Sequence, residues 1–537
     1  MTKRILLFTL IVIMCWSNTY GQDYYIMMSR DFYDRYEPFM YQLNSDVHTS
    51  MRPLRSYELK QFMNFDSISS NNEIRNTKFQ SIWVGRKLYK EHFLQKKGED
   101  YNLYLDPYID FTAGHDIDDD RNCYTNMRGI WLSGNIGERF SFSTTFAENQ
   151  AKFPSYIDSV ISLYKVVPGQ GRTKKLYGSR DFAFATGTIS YSLKKYFNFQ
   201  FGHDKNFIGD GYRSILLSDY AFNYPFLKIN VDVWKIKYTF MLAAFQDILI
   251  GPPPNYDPED FSFRKKWGSF HYFDFNIGKR MSVGILEGVI WKSDSVRAKA
   301  IDINYFNPFI FFRPVEFSMS SPDNAMLGLN LKFKISSTVT TYGQVMLDDF
   351  KIEQVRAGTG WYGNKQAIQW GIKGFNLLRI NNLSALTEIN YVRPFTYSHR
   401  SSLSNYCHYN EPLAHALRSD FIESVTIIKY TYRNFYSRLQ FMYYVAGADT
   451  GGYNYGNNIL LPYSTKANEY GNFVPNGLKN TVKYAELNVG YLFNPHNNLK
   501  VEFGIVSRKQ NSLLGNCNSL YFTFGIKTSL LNKNYDL

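Results

Sequence analysis

Several stretches of the chain alternate apolar and polar residues without interruption, and this period of two limits what the chain can fold into. The clearest stretches are 197–202, 227–233, 327–335, 499–505 and 520–526. One set of positions holds Leu, Ile, Val and Phe, and the other holds Lys, Asn, Asp, Glu, Thr and Gly. Successive side chains of a strand point to opposite faces, so the pattern predicts strands with one apolar and one polar face.

Eighteen strands of this kind are predicted along the chain. They are 102–112, 129–136, 139–148, 182–192, 197–204, 225–234, 236–246, 268–277, 281–291, 325–334, 338–348, 366–376, 383–392, 422–432, 434–445, 481–492, 498–508 and 518–529.

The predicted connections between these strands alternate between short turns and long loops. Short turns lie near Gly137, Lys194, Lys235, Gly278, Ser336, Asn381, Arg433 and His496. The predicted long loops are 113–128, 149–181, 205–224, 247–267, 292–324, 349–365, 393–421, 446–480 and 509–517. The strands of a soluble β-sandwich also alternate apolar and polar residues. Such a fold does not require alternating short turns and long loops, and it has fewer strands.

An even number of roughly ten-residue strands with short turns on one side and long loops on the other is typical of outer-membrane barrels. We therefore predict an all-β transmembrane barrel of about 18 antiparallel strands, with short periplasmic turns and long extracellular loops. The mean hydropathy of −0.34 argues against a bundle of membrane helices. Aromatic residues make up 18 % of the chain, and most are expected on the lipid face and at its two borders.

The sequence predicts three regions with boundaries at residues 21 and 100. Residues 1–21 resemble a signal peptide, with Lys3 and Arg4 before an apolar run too short to span a bilayer. Residues 22–100 are predicted to form a small periplasmic helical region, with helices near 57–65 and 71–92. Residues 101–537 are predicted to form the barrel. Loss of Lys3 and Arg4 with the leader lowers the formal charge of +13 by two.

Beyond the leader, the cysteines Cys123, Cys407 and Cys517 are far apart and form no metal-binding pair. The spacing leaves a Cys407–Cys517 or a Cys123–Cys407 disulfide open, without favouring a disulfide framework.

The densest candidate for chemistry is 201–219, in the predicted loop after the fifth strand. Gly209 and Gly211 there flank Asp210, and Tyr212 and Arg213 follow. A carboxylate, a ring and a guanidinium close together suit a sugar, since rings stack on sugar faces and charged planar groups bond to hydroxyls or carboxylates. The alternative interpretation is an inward-folded loop that an Asp210–Arg213 pair pins to the barrel wall.

A second candidate is a basic and aromatic loop containing Lys174, Lys175, Tyr177 and Arg180. It is suited to an anionic polysaccharide or to lipopolysaccharide phosphates, or it is simply a solvated loop. The acidic stretch 115–120 offers oxygen ligands without the spacing of a known calcium loop. His399, His408 and His415 share one loop with Cys407, which leaves a transition-metal site open; we predict no metal and no cofactor.

Enzymatic signals are poor, and we predict that the protein is not an enzyme. The sequence contains no G-x-S-x-G, no H-E-x-x-H and no glycine loop of the phosphate-cradling type. Nucleic acid is excluded as a partner for an exported barrel, so the basic charge is expected to meet anionic surface glycans instead.

The stretch 201–219, with 223–227, resembles the signature of the Wzi-type capsule-assembly family and of its Bacteroidetes branch, the RemB-type gliding proteins. Stretches 105–111, 128–132 and 234–238 are also similar to that branch. The resemblance implies an eighteen-stranded outer-membrane barrel with a periplasmic helical head, which attaches or assembles exopolysaccharide as a lectin-like barrel. Asn206, Phe207, Asp210 and Tyr212 depart from the Trp and Pro of the enterobacterial proteins, so family membership transfers better than sugar specificity.

The predicted function is to bind, anchor or assemble surface exopolysaccharide in the Gram-negative outer membrane, with a possible use in gliding motility or adhesion. Polysaccharide contact is predicted for Asp210, Tyr212, Arg213, Lys174, Lys175, Tyr177 and Arg180. The expected partners are surface polysaccharide, outer-membrane lipid, lipopolysaccharide, and periplasmic or motility proteins. The alternatives are a pore or transporter, whose lumen holds charged residues such as Lys228, Asp274 and Lys332, and a protein-binding component of an adhesion machinery.

Overall fold

The computed structural model describes residues 23–60, 62–63, 68, 78–249, 263–293, 302–309, 311–319, 323–513 and 515–537. The predicted signal peptide and the predicted helical turns at 71–77 lie outside these residues.

Eighteen antiparallel strands form one closed barrel, as the alternation predicted. They are β1 Tyr101–Asp116, β2 Arg121–Ile136, β3 Phe140–Lys152, β4 Ser179–Leu193, β5 Phe197–Asp204, β6 Tyr224–Val233, β7 Ile236–Asp247, β8 Arg264–Ile277, β9 Met281–Lys292, β10 Asn324–Lys334, β11 Val339–Asp349, β12 Lys365–Phe375, β13 Leu383–Val392, β14 Phe421–Tyr432, β15 Phe435–Ala446, β16 Asn480–Asn494, β17 Leu499–Ser512 and β18 Gly515–Thr528. Each strand pairs with the next, and β18 closes the barrel on β1, with Phe522 opposite His115.

The two faces of each strand meet different surroundings. In β5, the rings of Phe197, Phe199 and Phe201 are exposed on the outside of the barrel, whereas Asn198 and Gln200 are buried inside it. The outer wall is therefore apolar, as lipid requires, and the lumen is polar.

Connections of two to seven residues join strands at one end of the barrel, which we call the turn end. The other connections lie at the loop end. Two of the predicted long loops were wrong: 113–128 shrinks to 117–120, and 509–517 shrinks to 513–514. At these two hairpins the strands extend beyond the part of the barrel whose outer face is apolar. Backbone hydrogen bonds between strands can form there without an apolar face, because water meets both sides of the sheet.

Seven helices lie within the described residues: α1 Arg30–Met40, α2 Ser56–Lys60, α3 Lys78–Ser81, α4 Trp83–Tyr89, α5 Ser155–Tyr164, α6 Phe312–Met319 and α7 Ile352–Ala357. Short 3-10 turns occur at Ile303–Tyr305, Leu377–Arg379, Ser402–Ser404 and Tyr463–Thr465. Additional short strands are Met51–Arg52, Leu94–Lys97, Val166–Val167, Gly171–Arg172, Lys174–Leu176, Phe207–Ile208, Cys407–His408 and Glu411–Pro412. Within the described residues, no helix is long and apolar enough to span a bilayer.

The three cysteines left open by the spacing, Cys123, Cys407 and Cys517, are all free thiols. Neither disulfide considered from the sequence is formed.

Candidate functional site

The barrel lumen is occupied by residues 23–60, which we call the head segment. Its carboxylates form ion pairs with lysines on separate strands around the wall. The pairs are Asp31 with Lys500 of β17, Asp34 with Lys429 of β14, Glu37 with Lys373 of β12, and Glu58 with Lys237 of β7. The Nζ atom of Lys334 in β10 also donates to the carbonyl oxygen of Ser45 at 2.6 Å. Lysines on five strands between β7 and β17 therefore hold the head segment in place.

A second segment, residues 205–223, folds from the loop end into the lumen and meets the head segment there. We call it the lumen loop. Its strand Phe207–Ile208 pairs with Met51–Arg52 of the head segment, and the amide of Gly209 donates to the carbonyl oxygen of Ser50 at 2.7 Å. The predicted site residues Asp210, Tyr212 and Arg213 lie on this loop.

Asp210 is fully buried and bonded to the protein itself. Tyr41 Oη donates to its Oδ1 atom at 2.9 Å, and Asn330 Nδ2 donates to its Oδ2 atom at 3.2 Å. Thr49 Oγ1 donates a further hydrogen bond. Asp210 therefore joins the lumen loop to the head segment and to β10.

Tyr212 and Arg213 bind the end of the chain. Residues 529–537, which we call the tail, re-enter the lumen after β18. Tyr212 Oη donates to Asp536 Oδ2 at 2.7 Å, and Arg213 Nη2 lies 3.1 Å from the same oxygen. Arg213 Nη2 also lies 3.4 Å from Glu423 Oε1 of β14. Tyr212 and Arg213 are 7 % and 4 % exposed.

The backbone of this stretch lies directly against the barrel wall. The amides of Tyr212 and Arg213 donate to the two carboxylate oxygens of Glu388 at 2.9 and 3.0 Å. A Cβ atom at Gly211 would lie 2.3 Å from Glu388 Oε2, so any larger residue would displace that carboxylate.

These contacts match the inward-folded loop considered from the sequence, but with different partners. Asp210 and Arg213 do not pair with each other; their partners come from the head segment, the wall and the tail. Polysaccharide contact by Asp210, Tyr212 and Arg213 stays a prediction, and a glycan would have to displace these internal bonds.

A cavity of about 70 Å³ lies between the head segment and the wall, lined by charged residues that include Arg30, Glu37, Lys373 and Lys429. That volume accommodates a few water molecules, not a sugar chain.

The basic candidate residues lie elsewhere, on a hairpin at the loop end. The strand Lys174–Leu176 pairs with the start of β4, and Lys174 and Lys175 are exposed. Tyr177, at the tip, has φ of 47° and is 97 % exposed. Arg180 instead turns inward, with its Nε atom 2.7 Å from Asp158 Oδ1 of α5. The structure therefore separates the seven predicted residues into an internal set and a surface set.

A cluster of aromatic side chains at the loop end was missed by the sequence analysis. Trp361 and Tyr362 lie in the connection between β11 and β12, and Tyr463, Tyr470 and Phe473 lie between β15 and β16. We call these five residues the aromatic platform. Its ring centroids are 5.4 Å apart for Trp361–Tyr362 and 5.8 Å apart for Tyr362–Tyr463. Tyr470 and Phe473 are 50 % and 53 % exposed.

Charged groups border these rings. Lys466 Nζ lies 4.1 Å above the centroid of Tyr362, and Lys351 Nζ lies 4.9 Å from that of Trp361. Trp361 Nε1 donates to Glu469 Oε1 at 2.9 Å. The platform thus combines exposed ring faces with hydrogen-bonding groups of both charges, which suits a polyhydroxylated ligand.

The two loops that form the platform are held together through asparagines. The amide of Asn472 donates to the carbonyl oxygen of Gly360 at 2.9 Å. Asn476 Nδ2 donates to Asn472 Oδ1 at 2.9 Å. The amide of Asn476 in turn donates to both carboxylate oxygens of Asp420 at 3.0 Å. Asp420 is therefore linked by hydrogen bonds through Asn476 and Asn472 to the loop that carries Trp361 and Tyr362.

A histidine lies beside the platform rings. The ring of His399 is 5.9 Å from that of Tyr463. Burial, together with the cations of Lys365 and Arg400, lowers the pKa of His399 to about 4, so it is neutral at physiological pH. Burial raises the pKa of Tyr463.

We expect the platform loops to become less stable as the pH rises toward 8. Burial, reinforced by the charge of Asp449, raises the pKa of Asp420 to about 8. A carboxyl whose pKa is raised in the folded state stabilises that state most at low pH, and the contribution is lost as pH rises through the folded pKa. Protection factors of the amides of residues 447–479, which are exchange rates corrected for the intrinsic rate at each pH, should be higher at pH 5 than at pH 9. Asp420→Asn, which keeps an oxygen acceptor for the Asn476 amide, should flatten that difference; an equal pH dependence in the variant would contradict the assignment.

The acidic stretch and the histidines that the sequence offered as weaker candidates lie at an exposed turn or form contacts within the protein. The acidic tip at 118–120 is exposed in the hairpin between β1 and β2. His408 contacts the Gln246 amide and the Asn223 carbonyl oxygen, and His415 Nε2 lies 2.7 Å from Glu423 Oε2. Among the described residues, no three His, Cys, Asp or Glu side chains are grouped so as to hold a metal ion.

Comparison with known proteins identifies the fold. No model of a protein family matches this sequence, and no curated protein matches it. Among solved structures, Wzi of Escherichia coli is similar at a TM-score of 0.53 and 13 % identity, over 95 % of this chain and 100 % of that one. Wzi is described as a carbohydrate-binding β-barrel involved in group 1 capsule assembly. OprD of Pseudomonas aeruginosa is similar at a TM-score of 0.42 and 9 % identity, over 81 % and 98 % of the two chains. The chain thus has the fold of a Wzi-like outer-membrane barrel.

Proposed function

We propose that this protein is a non-enzymatic outer-membrane barrel that binds cell-surface polysaccharide at its loop end. The aromatic platform is the observation that carries the proposal. It offers the half-exposed rings of Tyr470 and Phe473 together with the rings of Tyr362 and Trp361, which contact Lys466 and Glu469 respectively. A rigid barrel holds these loops in place. Such rings contact sugar faces while the polar groups bond to hydroxyls.

The proposal orients the barrel with its loop end outside the cell, as in other barrels of this class. The head segment and the tail then enter the lumen from the periplasm. Lys174, Lys175 and Tyr177 form a second exposed contact on the outer surface. The formal charge is +13 for the full sequence and two less once Lys3 and Arg4 leave with the predicted leader, so the protein favours an acidic glycan over a neutral one.

We propose retention or assembly of an exopolysaccharide layer as the cellular role, by analogy with the capsule role of Wzi. The RemB-type resemblance extends the same proposal to gliding motility or adhesion, since a glycan held at the outer surface serves either use. Strains that carry platform variants should lose the polysaccharide layer in the first case and surface spreading in the second.

The test is retention of polysaccharide purified from the producing cells on the detergent-purified full chain. Tyr470→Ala with Phe473→Ala removes the most exposed rings, and we expect about a 30-fold loss of affinity because each of the two rings contributes on the order of 1 kcal/mol. Neutral dextran should bind less tightly than an acidic glycan.

A matched control removes two equally exposed rings at the other end of the barrel, with Tyr432→Ala and Phe435→Ala. Those changes should leave retention unchanged. Full retention by a correctly folded platform variant, or an equal loss in the control, would overturn the proposed site.

A further inference from the structure

The outer wall of the barrel has a groove of about 340 Å³ across strands β14 to β17. Met442, Tyr484 and Arg508 are buried on the lumen side, and Arg508 Nε donates to the carbonyl oxygen of Leu537 in the tail. Because side chains alternate along a strand, their neighbours face outward. The outward residues that line the groove are Ser424, Thr426, Phe441, Tyr443, Lys483, Ala485, Ser507 and Lys509.

Small side chains and rings alternate across the groove. Ser424 and Thr426 of β14 lie on one side of the rings of Phe441 and Tyr443 in β15. Ala485 of β16 and Ser507 of β17 lie on the other side, with Ala485 opposite Phe441 and Ser507 opposite Ala485. Both rings are nearly half-exposed, so the strip of Ala485 and Ser507 beside Phe441 fits a hydrocarbon chain against the wall.

Two lysines lie at one end of the groove. Lys483 and Lys509 are directly opposite each other in the register of β16 and β17, and both are exposed. Like charges at directly opposite positions destabilise a sheet. Neither lysine side chain has a hydrogen bond or an ion pair within the part of the chain that the structure describes, so the pair lacks a counter-ion of its own.

The two lysines lie at the level where the apolar band of the outer wall ends on the loop-end side. Eleven residues separate Lys483 from Asn494 at the turn end of β16, which for a tilted strand corresponds to roughly 25–30 Å of height. Outward residues nearer the turn end, such as Leu487, Val489 and Phe503, are apolar. The lysine pair therefore lies at headgroup level on the loop-end side.

We infer that this groove binds a phosphorylated glycolipid of the outer leaflet, with a phosphate between Lys483 and Lys509 and one acyl chain along Ala485 and Ser507 beside the ring of Phe441. The inference takes only the orientation of the barrel from the proposed function. It does not involve the aromatic platform, so either idea can fail without the other.

The test is binding of bis-phosphorylated lipid A to the detergent-purified full chain, measured by native mass spectrometry. Lys483→Gln with Lys509→Gln should weaken binding about 30-fold, since each basic side chain near an anionic membrane surface contributes about a factor of five. Ala485→Trp fills the groove while keeping both charges and should also weaken binding. Lipid A without its phosphates should bind the wild-type chain as weakly as bis-phosphorylated lipid A binds the double lysine variant.

The matched control is Lys265→Gln with Lys292→Gln, two exposed lysines at the loop ends of β8 and β9; it should not change binding. Inorganic phosphate should compete poorly, since it lacks the acyl chain. Unchanged lipid A binding in the Lys483/Lys509 variant, or an equal loss in the control, would overturn the inference. Competition by inorganic phosphate at equal concentration would also overturn it, by indicating a site for free phosphate.

Discussion

Replacing Arg213 by alanine should destabilise the folded barrel by about 3–5 kcal/mol, the range measured when one partner of a buried ion pair is removed. Polysaccharide binding at the platform should not change. Arg213 is enclosed between Asp536 of the tail and Glu423 of β14. Without the guanidinium, these two carboxylates face each other in the lumen with fewer partners.

The measurement is thermal or denaturant unfolding of the full chain in detergent, together with polysaccharide retention. Arg172→Ala removes an exposed arginine of the loop end, and its effect on stability should lie within about 0.5 kcal/mol. A stable Arg213→Ala barrel that no longer retained polysaccharide would return Arg213 to the ligand site that the sequence suggested.

The second large effect is expected on ion conductance. The same measurement tests the alternative that the protein is a pore or transporter. The wild-type chain should give no large steady openings in a planar bilayer, because the head segment, the lumen loop and the tail cross the lumen. Removal of residues 23–60 should produce stepwise openings, since eighteen strands enclose a channel wide enough for water and ions.

A charge variant distinguishes the effect of releasing the head segment from the lumen from the effect of deleting that part of the chain. Asp31→Asn, Asp34→Asn and Glu37→Gln break three of the ion pairs between head segment and wall, and we expect transient openings. Asp118→Asn, Asp119→Asn and Asp120→Asn change the same number of charges at an exposed hairpin tip and should stay silent. Large steady openings of the wild-type chain would favour the pore.

The aromatic platform shows why sequence patterns locate strands better than sites. Trp361 and Tyr362 stand between glycines in one long loop, and Tyr470 and Phe473 flank Gly471 and Asn472 in another. Such clusters of rings and glycines were a usable signal. Their meeting, however, depends on hydrogen bonds between positions about 110 residues apart, such as Asn472 with Gly360, and no local pattern reports them.

The lumen loop illustrates the same limit. Its glycines, carboxylate and guanidinium were recognised as a compact set, but their partners are Tyr41, Glu388 and Asp536. These partners lie in the head segment, the wall and the tail, which only the closed barrel brings together. The residue types alone were compatible with a sugar or with an internal ion pair.

By itself, the sequence determined the strands, their number and the closed barrel. The alternation of apolar and polar residues shows which side of each strand faces lipid, because every second side chain must be apolar there. This requirement applies to each residue in turn, so the local sequence shows it. Only the tertiary structure decided what fills the lumen and which side chains reach the surface. Buried charges pair with whatever the folded chain places beside them, and in this barrel those partners are hundreds of residues away in sequence.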